Sequence, residues 1–214
     1  MKEGTRFDLL HKTMPWDDVD TVVFDIGNVL IRFAPDDFIE RLFPGDAKKQ
    51  RDMMDRVYRG KYWLCFDRGT MEYGEAARRL AEEYGGAEED YLHALYGWFK
   101  LKTPLEEGFR AARLCKEKGK KILLLSNYPR QGFEFVKAEY AKLFEIFDGG
   151  VVSCYVHQLK PEREIYGTLI ERYGLDPSRT VFLDDTLSNI EAAIKAGIHG
   201  FHMHESGMMD RFFL

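Results

Sequence analysis

The sequence predicts an α/β protein: a doubly wound, Rossmann-like core with a mainly parallel sheet, interrupted by an inserted α-helical cap. Three observations point to this class. Short continuous apolar runs recur along the chain and each stops at polar residues. Helical periodicity fills most of the stretches between them, and strands alternating with helices build parallel sheets. One long stretch early in the chain holds no strand-like run at all. The length, 214 residues, suits a single domain carrying an insertion, since domains usually run roughly 100–200 residues.

The elements follow in order. Thr21-Val22-Val23-Phe24 is a β-branched and aromatic run that stops at Asp25-Ile26-Gly27-Asn28, as a buried parallel strand does. Residues 35–103 read as helices over roughly 36–43, 46–59, 72–84 and 88–100. Asp67-Arg68-Gly69-Thr70 reads as a turn before the third of these, with Thr70 as its N-cap. Leu105, Phe109, Ala112 and Cys115 recur at helical spacing, and Gly119 supplies a stop. A second strand, Lys121 to Leu125, ends in Ser126-Asn127, and a weaker run follows at Gly150-Val151-Val152. Lys160-Pro161 leads into a helix near 162–173. Pro favours a first helical turn, so Lys160 is expected at that helix's N-terminus. Thr180-Val181-Phe182-Leu183 ends in Asp184-Asp185. Ile190, Ala193, Ile194 and Gly197 share a helical face, and Gly200 to Met203 form a last strand. The expected division is a core of residues 1–34 and 104–214 around a cap of residues 35–103.

Composition narrows the function classes. With 45% hydrophobic and 31% charged residues, the chain is neither disordered nor a fibrous repeat. A net charge of −5 gives no global pull toward nucleic acid or an anionic membrane, so neither is expected as a partner. No apolar run approaches a membrane span or the core of a signal peptide. Cys65, Cys115 and Cys154 are odd in number and far apart, which argues for reduced thiols in a cytoplasmic protein rather than a disulfide or zinc framework. A monomer or homodimer is expected.

The chemistry concentrates where strands end. Ligands of open α/β sheets sit at the carboxyl ends of the strands, so Asp25, Ser126, Asn127, Asp184 and Asp185 should converge, with Lys160 close by. Clustered carboxylates repel one another unless a cation is present, and hard oxygen donors suit Mg²⁺. A lysine and a hydroxyl beside that cation suit a phosphate group, and a carboxylate can act as the nucleophile toward it.

The segments F-D-I-G-N-V-L, L-L-S-N, L-K-P-E and F-L-D-D-T-L-S-N resemble, in order and in context, the four motifs of the haloacid dehalogenase-like (HAD) hydrolase superfamily. The resemblance covers residues 21 to about 204. It implies a phosphatase acting on a small phosphorylated substrate. Asp25 is then the nucleophile and, with the Gly27 carbonyl and Asp185, a Mg²⁺ ligand. Asp184 and Asn189 orient the ion or its waters. Ser126, Asn127 and Asn28 hold substrate, and Lys160 neutralises the phosphate and Asp25. The helical stretch resembles the cap of a branch rich in sugar-phosphate phosphatases, where Trp63 is the residue placed to contact substrate.

One position departs from the family pattern. The usual D-x-D carries a second aspartate that serves as general acid and base, and here that position is Gly27. The D-x-G-N form resembles sugar-1-phosphate phosphatases, including α-glucose-1-phosphate phosphatases. It disfavours a phosphomutase. The missing acid leaves three options: a leaving group that needs little protonation, such as a sugar anomeric phosphate or an aryl phosphate; a substitute from a cap residue or water; or a weak or inactive module that binds a phosphometabolite or a protein. Lys160 with the Asp184-Asp185 pair disfavours a dehalogenase. His199, His202 and His204 lie beyond the last motif and read as edge histidines. His157 reads as structural, with a pocket role as the lesser reading. Tyr58, Tyr62, Trp63 and Phe66 read first as helix packing, and Phe212-Phe213-Leu214 as an apolar end docked on the core or on a second subunit.

Overall fold

The computed structural model describes residues 18–203. The elements are β1 (Thr21–Phe24), α1 (Pro35–Leu42), α2 (Ala47–Met53, continued by a π-turn Met54–Tyr58), α3 (Lys61–Arg68), α4 (Tyr73–Tyr84) and α5 (Glu88–Gly97, followed by a 3₁₀ turn Trp98–Leu101). They continue as α6 (Glu106–Glu117), β2 (Lys121–Ser126), α7 (Arg130–Glu139), α8 (Ala141–Phe144), β3 (Gly150–Val152) and α9 (Ser153–Val156). The chain closes with α10 (Arg163–Tyr173), β4 (Thr180–Asp184), α11 (Leu187–Lys195) and β5 (His199–His202). None of these helices is long and apolar enough to cross a membrane.

The sheet has the order β3-β2-β1-β4-β5, and every pairing is parallel. The strands are buried on both faces, which explains their continuous apolar runs. The two-residue alternation of a strand still divides them. Val22, Phe24, Ile122, Leu124, Val181 and Leu183 face one cluster, together with Phe109, Val136 and much of the helical insert. Val23, Leu123, Leu125 and Phe182 face the other, against Ile165, Leu169 and Ile190 of α10 and α11.

The insert α1–α5 lies between β1 and β2. The chain leaves and re-enters the core through adjacent backbone: Arg32 N–H donates to the Thr103 carbonyl at 2.9 Å, and Leu105 N–H to the Leu30 carbonyl at 2.8 Å. Two details differ from the sequence expectation. Residues 61–68 form α3, and Thr70 belongs to the end of that helix rather than to the start of α4. Gly69 takes the left-handed conformation (φ 70°) that closes α3, and the Thr70 hydroxyl donates back to the Cys65 carbonyl at 3.3 Å. α4 begins at Tyr73 with Glu72 before it. Residues 130–139, which the periodicity left unassigned, form α7 over the aromatic side of the core.

Gly108 in α6 offers a test of this packing. Ala normally stabilises a helix interior over Gly by about 1 kcal/mol. At Gly108 the added Cβ would stand 2.0 Å from the Val29 carbonyl oxygen, so the sign reverses. Gly108→Ala is expected to lower stability by about 1–3 kcal/mol, read as a lower urea midpoint. An unchanged or higher midpoint contradicts the packing of α6 on the loop after β1.

Candidate active site

The strand register brings the polar strand ends together. Phe24 pairs with Leu124 on one side and Leu183 on the other, so the next residues, Asp25, Leu125 and Asp184, emerge side by side. Asp25 N–H donates to the Leu183 carbonyl at 2.9 Å. Strand order runs away from β1 in both directions, which makes this edge the place where such sheets open a crevice.

Lys160 is the centre of the site. Its ammonium lies 2.8 Å from Asp25 Oδ1 and 2.6 Å from Asp184 Oδ2, and it donates to the Leu125 carbonyl at 3.0 Å. The three side chains are 2%, 9% and 0% exposed. Burial works to lower the lysine's pKa, but Asp184 and Asp25 outweigh it and hold the ammonium above its ordinary value. For Asp25 burial is the strongest influence; despite the pull of Lys160 it lifts the carboxyl well above the usual range, and Asp184 adds to the rise. Two carboxylates share one cation here, which leaves a net negative charge in a desolvated place.

Lys160, expected at the N-terminus of the helix that follows, stands two residues before that helix's N-cap, Glu162. α10 starts at Arg163, and the Lys160–Pro161 peptide is cis. Asn127 places the lysine. Its side chain clasps the Lys160 backbone, accepting from the N–H and donating to the carbonyl, both at 2.8 Å. Glu162 then accepts from Leu159 N–H at 3.0 Å and closes the turn.

Asp184 is fully engaged. Its Oδ1 accepts from Thr186 N–H at 2.7 Å and from Asn189 Nδ2 at 3.1 Å, and its Oδ2 meets Asn189 as well as Lys160. Asp185 is half-buried; its Oδ2 accepts from Asn28 Nδ2 at 2.9 Å and its Oδ1 more loosely from the Thr186 hydroxyl at 3.3 Å. Asn28 has φ 51°, and its Oδ1 accepts from Phe33 N–H at 2.9 Å. Asp25, Asp184 and Asp185 can each bring one oxygen within 4.8 Å of the others. This is a hard-oxygen set of the kind Mg²⁺ takes.

These groups open into a cavity of about 350 Å³. Asp25, Gly27, Asn28, Asn127, Lys160 and Asp185 form its floor side, as the sequence proposed. Ser126 ends β2 at 1% exposure, its Oγ 3.5 Å from the Asn127 carbonyl oxygen, and the wall at that strand end is Asn127, Tyr128 and Pro129. Four of the lining residues are aromatic: Phe33, Trp63, Trp98 and Tyr128. Trp63 packs and lines at once, with its ring 5.9 Å from Phe33 and 5.3 Å from Trp98.

Sequence reading missed several lining residues, and Asp67 is the one carboxylate among them. Asp67 stands four residues after Trp63 on α3, so both lie on one helix face. That spacing was the available signal, obscured by reading Asp67 to Thr70 as a turn. The histidines are occupied elsewhere. His157 Nδ1 meets the Arg68 carbonyl at 2.8 Å, His199 Nε2 the Ser178 carbonyl at 2.8 Å and His202 Nε2 the Asp185 carbonyl at 2.9 Å. His204 and Phe212 to Leu214 lie outside the described residues.

Comparison with known proteins identifies a family for the chain. Residues 19–197 match the family model described as "Hydrolase: haloacid dehalogenase-like hydrolase". A sesquiterpene phosphatase (astK) of Aspergillus oryzae is 24% identical over 86% of this chain and 89% of its own length. A phosphorylated carbohydrates phosphatase of Thermotoga maritima is 29% identical over 59% of this chain and 74% of its own. Among solved structures, a HAD family enzyme of Bacteroides thetaiotaomicron in complex with magnesium and inorganic phosphate superposes with a TM-score of 0.70. It shares 21% identity and covers 89% of this chain and 98% of its own. With the matched span running from before β1 to the end of α11, the chain belongs to the haloacid dehalogenase-like hydrolase family.

Proposed function

We propose that the protein is a Mg²⁺-dependent phosphatase that hydrolyses a small phosphorylated metabolite through an aspartyl-phosphate on Asp25. The observation that carries this reading is the buried Asp25–Lys160–Asp184 group at the floor of a cavity, with Asp185 beside it. A module that only binds need not bury two carboxylates on one lysine. Two relatives of this chain are named as phosphatases of different organic phosphates, which supports the reaction more than any one substrate. The D-x-G-N pattern points to the sugar-phosphate class.

In this mechanism Lys160 draws the phosphoryl group toward Asp25, whose Oδ attacks phosphorus as the bond to the leaving oxygen breaks. Water then attacks the phosphorus of the aspartyl-phosphate, releases inorganic phosphate and restores the carboxylate. Asp185, Asp25 and the Gly27 carbonyl would hold Mg²⁺, with Asp184 and Asn189 behind them. Bound there, the ion would offset the repulsion between a phosphate dianion and the carboxylates. The leaving alcohol would rest against Phe33, Trp63, Trp98 and Tyr128.

The test is phosphate release from a panel of phosphorylated metabolites, with 4-nitrophenyl phosphate as a generic probe. Activity should require Mg²⁺, fall to background in excess EDTA and return when Mg²⁺ is restored. Full activity in EDTA, or no release from any compound with Mg²⁺ present, contradicts the reading.

A further inference from the structure

Asp67 has no task in the scheme above, and its setting is unusual. It lines the cavity together with Asp25 and Asp185. It is only 7% exposed, yet its carboxyl makes no hydrogen bond or ion pair with any described residue. Its oxygens are not among the fully buried side-chain atoms that lack a partner, so they reach the cavity space. An unpartnered acid facing a substrate cavity is therefore a place where the bound molecule supplies the partner.

Its backbone, by contrast, is fastened to the core. The Ser153 hydroxyl donates to the Asp67 carbonyl and accepts from Tyr128 N–H at 3.0 Å. The Arg68 guanidinium pairs with Glu162 and donates to the His157 carbonyl at 3.1 Å. Gly69 lies against the Cys154 backbone, where an added Cβ would stand 2.3 Å from the carbonyl oxygen. The end of α3 is thus tied to residues 153–162, the stretch that leads to Lys160. Although Asp67 belongs to the insert, its position is referenced to the catalytic floor.

Position 27 completes the argument. An acid there is not excluded by space, because a Cβ on Gly27 would meet only Asp25 Oδ2, at 4.0 Å, and no left-handed conformation reserves the site for glycine. Position 27 has room for a proton donor that it lacks, and Asp67, which lines the same cavity, carries an unpaired one.

We propose that Asp67 protonates the departing oxygen, taking over from the insert the role of the acid that position 27 lacks. This rests on Asp25 being the nucleophile. As the P–O bond breaks, its electron pair stays on the leaving oxygen, which takes the Asp67 proton and departs as the alcohol. The Asp67 carboxylate then takes a proton from the water that attacks the aspartyl-phosphate, and the cycle closes with Asp25 ionised and Asp67 protonated. The proton inventory suits this role. Burial raises the Asp67 carboxyl to about 8 against the pull of Lys160, and Asp25 adds to the rise, which favours the protonated form.

The experiment compares the wild type, Asp67→Asn and the double variant Gly27→Asp/Asp67→Asn on a series of substituted phenyl phosphates with Mg²⁺. General acid help is worth about 10²–10⁴-fold where the leaving group needs a proton. Asp67→Asn is therefore expected to lose about 10²-fold or more on phenyl phosphate, but less than about tenfold on 4-nitrophenyl phosphate, whose anion leaves readily. The dependence of rate on leaving-group basicity should steepen, and Gly27→Asp should restore at least part of the loss on phenyl phosphate. A loss equal across the series, or no loss at all, overturns the assignment of Asp67 while leaving Asp25 in place. A wild type that turns over none of the series removes the phosphatase reading as well. Thermal unfolding of Asp67→Asn near the wild-type midpoint separates lost chemistry from lost fold.

Discussion

Asp25→Asn is expected to abolish phosphate release, by about 10⁵-fold or more, on the scale seen when a covalent nucleophile is removed. The amide keeps the size of the side chain and can still accept from Ile26 N–H, now at 2.7 Å, but it cannot form an acyl-phosphate. The same change should leave stability intact or raise it in metal-free buffer. In the parent two buried carboxylates share the single cation Lys160, and removing one charge leaves a balanced pair. The measurement is phosphate release with Mg²⁺ alongside thermal unfolding in EDTA. A variant that keeps a tenth of parental activity rules out Asp25 as nucleophile, and a large fall in midpoint contradicts the charge argument.

Lys160→Met should lose both activity and stability. The methionine fills a similar volume but leaves Asp25 and Asp184 facing each other without a counter-ion, at side-chain exposures of 9% and 0%. Breaking a buried ion pair from one side costs about 3–5 kcal/mol. For a chain of this size that is a drop on the order of 10 °C in midpoint. The contrast with Asp25→Asn is the sharper result: one variant is inactive and stable, the other inactive and unstable. Equal midpoints for the two in EDTA would refute the buried-charge account of the site.

How far the sequence was legible depends on whether the signal was local. Thr21 to Phe24, Lys121 to Leu125 and Thr180 to Leu183 were readable because a strand covered on both faces needs an unbroken apolar run, and their polar ends follow directly. The position of Lys160 was not readable in full. A proline beside it suggested a helix start, whereas the residue is held by Asn127, 33 positions away, and no periodicity records such a contact. Asp67 was hidden for a related reason. Its neighbours in sequence, Arg68, Gly69 and Thr70, look like a turn and do form the end of a helix, but what raises its carboxyl is burial, with Asp25 adding to it against the pull of Lys160. Trp63 stood out through the aromatic stripe it forms with Tyr58, Tyr62 and Phe66, and it lines the cavity, whereas its aromatic neighbours Phe33 and Trp98 come from separate segments.

The hydrogen-bonded crossings at Arg32–Thr103 and Leu30–Leu105 make the whole helical insert, seen from the sheet, one closed loop. The entropy of closing a loop grows only with the logarithm of its length, about 0.6 kcal/mol for each doubling. The sheet is therefore nearly indifferent to how much chain passes between those two points. Selection can lengthen, shorten or rewrite the part that meets the leaving group while β1, β2 and β4 and the residues at their ends stay as they are. Exceptions are the places where the insert touches the rest, as around Arg68, a stretch tied to Glu162 and Ser153, and at Glu72, which accepts from Gln131; there the two parts must change together.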